Sequence, residues 1–383
     1  MSGRLALAII MMAIFTCMSA VAFKVQVAMA NRTIYIRVDG SVVASTKQIS
    51  SVDNVTYYFT RDIFDSIVVE RDNIVVDGTG YTILGMGSGT GIDLSERNNV
   101  TIKNTIIKGF DYSVYLYHSL NNSISENNIT GNNVAMYLYW SLNNSISENN
   151  MISNGDGVWL RHSLNNSISE NNIASNNGGI LLMMSSNNTV SRNNIARNRY
   201  GIIIDEASGN YIYHSNFLNN TDQVATSDST NVWDNGYLSG GNHWSNHYAE
   251  DLHSGRYQNI TGSDGVGDIS YVIDANNTDN CPLMGVFSDF KATPENHVQT
   301  VCNSTISDFR FIDDAIRFNV SGKDGTVGFC RVCIQTALMN GTYKVFVNGR
   351  EVAHSLLEND DDKCRYLYFT YSHSIQEVVI VSE

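Results

Sequence analysis

Proline is almost missing from this chain: 383 residues contain 2. Turns fixed by its locked backbone angle are therefore excluded as a general device. The 29 glycines and the abundant asparagines, both tolerant of left-handed backbone, must make the corners instead. Basic residues are also scarce, at 24 Lys and Arg against 38 Asp and Glu, a formal net charge of −14. Proteins that hold nucleic acid concentrate Lys and Arg on one face, so this balance argues against such a partner. No long apolar run follows the first thirty residues, which leaves the N-terminal segment as the only candidate contact with a membrane.

That segment has the form of an export signal over residues 1–30. Arg4 precedes the run LALAIIMMAIFTCMSAVAF, and AMA at 28–30 supplies small residues for cleavage. The alternative is an uncleaved anchor helix, since the run approaches the ~18 residues needed to span a bilayer. Either way the remainder is expected outside the cytoplasm, as a secreted or cell-surface protein in a periplasm-like setting. Asn-x-Ser/Thr sequons at Asn31, Asn54, Asn99, Asn128, Asn259 and Asn340 fit a glycoprotein. Five cysteines follow the signal: Cys281, Cys302, Cys330, Cys333 and Cys364. An odd number leaves one without an intramolecular partner, and the sequence does not fix the pairing. Cys330-x-x-Cys333 stands in a strand-like context with no second such pair, which argues against a zinc or redox site.

The most conspicuous feature is repetition. SLNNSISENN begins at 119, 141 and 163, a period of 22 residues. Stepping by that period aligns apolar columns, among them Ile102, Ile124, Ile146, Ile168, Val190, Ile212 and Leu116, Leu138, Leu160, Leu182, Ile204. Apolar and polar residues alternate within each repeat, which is strand periodicity. Short strands with Asn and Gly corners fit an all-β, parallel β-helix, whose coils stack at about 4.8 Å and bury a core no single coil could bury. A leucine-rich repeat lacks its leucine spacing here. Three Asn columns, beginning at Asn99, Asn128 and Asn132, are expected to stack as corner ladders. Glu126, Glu148 and Glu170 form a like-charge ladder ending at Arg192, expected to face solvent.

Outward positions are where function should lie. Tyr115, Tyr137 and Trp159 form one column, Tyr117, Tyr139 and Arg161 a second, and His118, Trp140 and His162 a third. Aromatic faces suit the C–H faces of sugar rings, so a polysaccharide or surface glycan is the expected partner. A covering loop or partner protein is the competing reading. A polysaccharide lyase or hydrolase would need paired carboxylates. Near the stripe only Asp111 and Asp156 qualify, two coils or roughly 10 Å apart. No catalytic residue is assigned. A copper site through His118 and His162 meets the same separation, too long for one shared metal.

After Asn220 the register stops. His243 and His247, at i and i+4, are metal candidates set against a structural role. Asp264 and Asp268 flank two glycines in an oxygen-rich turn of the kind that holds Ca²⁺, without the full loop pattern. GNHWSNHY, DGVGDISYVID and DNCPLM resemble the closing signature of NosD-type right-handed β-helix proteins. IYIRVDGSV and SIVVERDNIVVDGTGYTI are similar to opening segments of surface-located members. The resemblance covers about 31–290. It implies an exported β-helix with a cap, and a family that includes a periplasmic copper-binding protein and carbohydrate-binding and sugar-hydrolase coils. It transfers no copper ligand to a particular residue. The expected order is an N-terminal cap at 31–62, the β-helix at 63–230, a C-terminal cap at 231–290 and a β-sandwich at 300–383, with Asn348-Gly349 as a hairpin turn. The leading expectation is a non-enzymatic binding protein.

Overall fold

The computed structural model describes residues 33–44, 47–357 and 363–382. The export signal, its anchor alternative and Asn31 lie outside the described residues. The described residues are all-β: a right-handed parallel β-helix of about 22 residues per coil followed by a small antiparallel sandwich.

Three parallel sheets run along the helix. One coil visits them through Tyr112–Tyr117, Ser123–Ser125 and Asn128–Thr130, and the equivalent strands 22 residues on pair with each in turn. The first sheet has 10 strands, the second 9 and the third 8. Strands beyond 63–230 join them: Thr33–Ile36 pairs with Ser66–Val69 in the first sheet, and His243–Trp244 with Asn216–Leu218 in the third. The apolar columns face inward as expected. Ile102, Ile124, Ile146, Ile168 and Ile212 are all 0% exposed, as are Leu116, Leu138, Leu160, Leu182 and Ile204.

The corners hold the fold's main constraint. Each turn between sheets passes through a residue in the left-handed region, which in one coil means His118 (φ 50°), Asn121 (57°), Glu126 (57°) and Gly131 (69°). The residue after each points inward: Ser119, Asn122, Asn127 and Asn132, none more than 6% exposed. Their backbone N–H groups also turn into the interior, where an unpaired amide is costly. The next coil supplies the acceptor. Asn122 N donates to Asn144 Oδ1 (2.9 Å), Asn127 N to Asn149 Oδ1 (3.0 Å), Asn132 N to Asn154 Oδ1 (3.1 Å) and Ser119 N to Ser141 Oγ (3.1 Å).

Each Asn amide also donates back to carbonyls. Asn144 Nδ2 reaches Ser119 O (3.2 Å), Leu142 O (3.0 Å) and Asn166 Oδ1 (3.0 Å). The pattern recurs coil after coil, so a core lined at its corners by amides contains no unmet need there. One of the three expected ladders takes a different place. The Asn99 column is not the buried ladder; its members are the left-handed residues, and the ladder belongs to the next position, Asn122. The Asn128 column stacks on the outer surface, with Asn150 Nδ2 donating to Asn128 Oδ1 at 3.0 Å. The Asn132 column stacks as expected, and it is buried.

The C-terminal end of the core is plugged by aromatic rings. Trp244 stacks on Phe217 (4.3 Å between centroids) and on Tyr271 (4.2 Å). Its indole N–H and that of Trp233 are received by Asp279 and Asn277. Beyond the plug, two five-stranded antiparallel sheets enclose a second core that includes Phe318, Val332, Phe369 and Ile380. Asn348 and Gly349 both have positive φ (49° and 73°), the hairpin geometry expected of that pair. Cys302 and Cys330 are cross-strand partners and are disulfide-bonded.

Replacing Asn166 with Ala should destabilise the protein by about 3 kcal/mol or more in denaturant unfolding, because amides and carbonyls of both neighbouring coils lose their partners. Asn165→Gly, at the exposed left-handed position beside it, should change stability by less than about 1 kcal/mol. Equal effects at the two positions would contradict the ladder.

Candidate functional site

The face of interest is the outer surface of the first sheet over three coils. Strand alternation turns Tyr115, Tyr137 and Trp159 outward, with Tyr117, Tyr139 and Arg161 two positions on. The rings pack against one another: Tyr115 to Tyr137 at 5.6 Å, Tyr137 to Trp159 at 5.0 Å and Tyr117 to Tyr139 at 5.6 Å. Tyr112 extends the cluster, stacked on Tyr137 at 5.1 Å. It was not among the expected members, although it lies at the start of the same strand.

Self-packing explains why Tyr137 is only 8% exposed while Trp140 is 47% exposed. Burial raises the hydroxyl pKa of both Tyr115 and Tyr137, partly offset at Tyr137 by a hydrogen bond from Arg161. The Arg161 guanidinium also lies 5.7 Å from the Tyr139 ring centre, within cation–π range. The Trp159 indole N–H is buried and has no acceptor among the described residues.

The third column is not a strand column. His118, Trp140, His162 and Met184 are the corner residues themselves, with φ of 50°, 53°, 51° and 49°. For bulky side chains this conformation costs about 1–2 kcal/mol each. At the next corner the same conformation is taken by Asn99, Asn121, Asn143, Asn165 and Asn187, where it is cheap. Over these coils aromatic rings occupy this corner alone, although Glu126, Glu148 and Glu170 hold the same conformation at another (57°, 56° and 60°). The rings form a stack: Trp140 is 4.3 Å from His162 at 9° and 6.3 Å from His118 at 11°. Strain of this kind is commonly kept where a site needs the side chain it displays.

Asp111 and Asp156 do not face each other. Asp111 Oδ2 accepts from Gly89 N (3.0 Å), one coil before it, and Asp156 Oδ1 from Gly178 N (3.0 Å), one coil after it. Each carboxylate leans away from the other along the axis, so the gap exceeds two coil spacings, roughly 10 Å, beyond the separations that glycosidases use. Burial raises the pKa of Asp156. Both act as staples between coils.

The residues proposed for metals are also dispersed. His243 is half-buried, with Nδ1 at 3.0 Å from Leu283 O, and desolvation lowers its pKa. The outward-lying His247 bonds through Nε2 to Ile269 O (2.9 Å). Asp264 accepts from Tyr237 Oη, Gln258 Nε2 and Val266 N, and Asp268 from the His253 ring and two backbone amides. Their oxygens are thus committed to N–H and O–H donors within the cap. Among the described residues no three His, Cys, Asp or Glu side chains come together as a metal-holding group. The Glu column is exposed as expected, and its end is an ion pair, Glu170 to Arg192 at 3.0 Å.

Trp140→Asn should leave unfolding stability within about 1 kcal/mol of wild type, since relief of backbone strain offsets the lost stacking. A large loss would mean that the ring is structural. The cap carries a pH signature. Burial raises the pKa of Asp279 to about 7, against 3.8 ordinarily. Its proton is held in the folded state and released in the unfolded one across that window, so stability should fall as pH rises from about 4 to about 7. Asp279→Asn should flatten that slope in denaturation midpoints measured across the range, and an unchanged slope would contradict the assignment.

Comparison with known proteins gives one family match. Residues 29–249 match the family described as periplasmic copper-binding protein (NosD). No curated protein matches the chain. Among solved structures, DFA-IIIase from Arthrobacter chlorophenolicus A6 in complex with GF2 is similar at 14% identity and a TM-score of 0.33, covering 46% of this chain and 55% of that one. The periplasmic alginate epimerase AlgG, as a double mutant, is similar at 16% identity and a TM-score of 0.32, covering 50% and 70%. This chain therefore spans little more than half of the first of these. With the family matched across more than half its length, the chain belongs to the NosD family of β-helix proteins.

Proposed function

We propose that this chain is an exported, extracytoplasmic binding protein whose first sheet presents an aromatic ladder to a glycan chain. It consists, on this reading, of a β-helix between two caps and a sandwich module. The observation that carries the proposal is the corner stack of His118, Trp140 and His162, strained in the backbone and continuous with Tyr117, Tyr139 and the Tyr115–Trp159 column. Rings repeating at the coil spacing offer successive flat surfaces to successive sugars. Arg161 and the two imidazoles supply donors for hydroxyl or carboxylate oxygens. The family's periplasmic description supports a location outside the cytoplasm.

That description also names copper, and the face does not fit a copper centre. Trp140 lies between the His118 and His162 rings, stacked on both, so the imidazoles stand an indole apart and cannot converge on one ion. The divergent Asp111 and Asp156 carboxylates likewise give no support to a catalytic role.

A glycan array probed with wild type, Trp140→Asn and Trp159→Ala tests the reading. Wild type should bind a defined set of polysaccharides. Each substitution should weaken binding about tenfold, the equivalent of a single aromatic stacking contact. An array without binding, or binding that neither change affects, would overturn it.

A further inference from the structure

A buried cation without a carboxylate partner lies where the sandwich meets the cap. Arg331, in the strand Val327–Gln335, is 2% exposed. Its stem packs beneath Gly265, where an added Cβ would come within 3.2 Å of Arg331 Cβ and Cδ. Arg331 Nη2 donates to the cap carbonyl Ser239 O at 3.2 Å, and the guanidinium sits 5.1 Å from the Tyr366 ring centre. Nη1 is buried and has no acceptor among the described residues. None of the ion pairs among the described residues includes Arg331. The nearby Asp264 spends its oxygens on Tyr237, Gln258 and Val266.

A second orphan lies beside it. Thr300, 1% exposed, has a buried Oγ1 with no partner. Arg331 and Thr300 line one small cavity together with Ser239, Gln299, Cys333 and Tyr366. The cavity is small, with room for one atom and too little for a phosphate or a carboxylate. A guanidinium cannot escape burial by losing its proton. An unpartnered guanidinium N–H there carries a desolvation penalty, which an anion in the cavity would relieve. The other nearby base does not compete for one: burial lowers the His214 pKa to about 4, and its Nε2 is 2.9 Å from the same Ser239 carbonyl.

We infer that this cavity binds one monoatomic anion, a halide, held by Arg331 Nη1 and Thr300 Oγ1, and that the ion fastens the sandwich to the cap. It would act beside two direct contacts between the β-helix and the strand Val286–Lys291: the Asn216 side-chain amide, paired both ways with the Phe287 backbone, and the Arg192–Asp289 pair at 3.7 Å. A ligand bound only by the folded state raises stability with the logarithm of its concentration.

The test compares thermal unfolding of the full chain in sodium chloride and sodium gluconate at equal ionic strength. The midpoint should rise with chloride and not with gluconate, and Arg331→Gln or Thr300→Val should remove the difference. Crystals grown in bromide should show an anomalous peak within hydrogen-bonding distance of Arg331 Nη1, which decides the matter if the Arg331 variant does not fold. Identical midpoints in the two salts, or a water without anomalous signal in the cavity, would overturn the inference.

Discussion

Everything in this molecule hangs on the amide ladders at the coil corners. A parallel β-helix must turn its backbone three or four times per coil, and each turn points an N–H group into a core that is otherwise Ile, Leu and Val. Asn at the inward corner position resolves this by accepting from the coil before it and donating to carbonyls on two levels. The arrangement is self-propagating, because each ladder residue presents to the next coil the same unmet groups it has just satisfied. It ends where Asn231, Ser215 and Gln223 take over the ladder positions and the Trp233–Trp244 plug closes the core.

The ladder also explains how the outer face can be built freely. Register and spacing are fixed from inside, so outward residues on the first sheet contribute little to holding the coils together. That freedom allows tyrosines, tryptophans and histidines to be lined up along the axis. It also allows a corner to hold His118, Trp140 and His162 in a conformation that Asn or Gly would adopt more cheaply. The sheet supplies the repeat, and the corner supplies the display.

Much of this could be read in the sequence, for a definite reason. The inward columns repeat at a strict period, so Ile124 and Ile146 betray both coil length and core. The ladders were harder to locate because the sequence writes Asn121-Asn122 and Asn127-Asn128 as pairs. Composition cannot tell which member points inward; the backbone decides, since the left-handed residue always precedes the buried one. The same blindness made His118 look like a strand residue. Tyr112 escaped because a buried Ser113 interrupts the alternation between it and Val114. Arg331 could not have been found at all, since it occupies an outer position of its strand that becomes buried only when the cap, far away in sequence, packs over it.

The central claim is that the open face of the first sheet, and not the caps or the sandwich, meets a polymeric ligand. Hydroxyl-radical footprinting of the full chain, with and without a saturating polysaccharide, tests it most directly. Protection should appear at Trp140, His118 and the outward tyrosines of the same three coils, with Trp233, Trp244 and the sandwich unchanged. Protection confined to the cap or the sandwich, with the stripe as reactive as before, would contradict it.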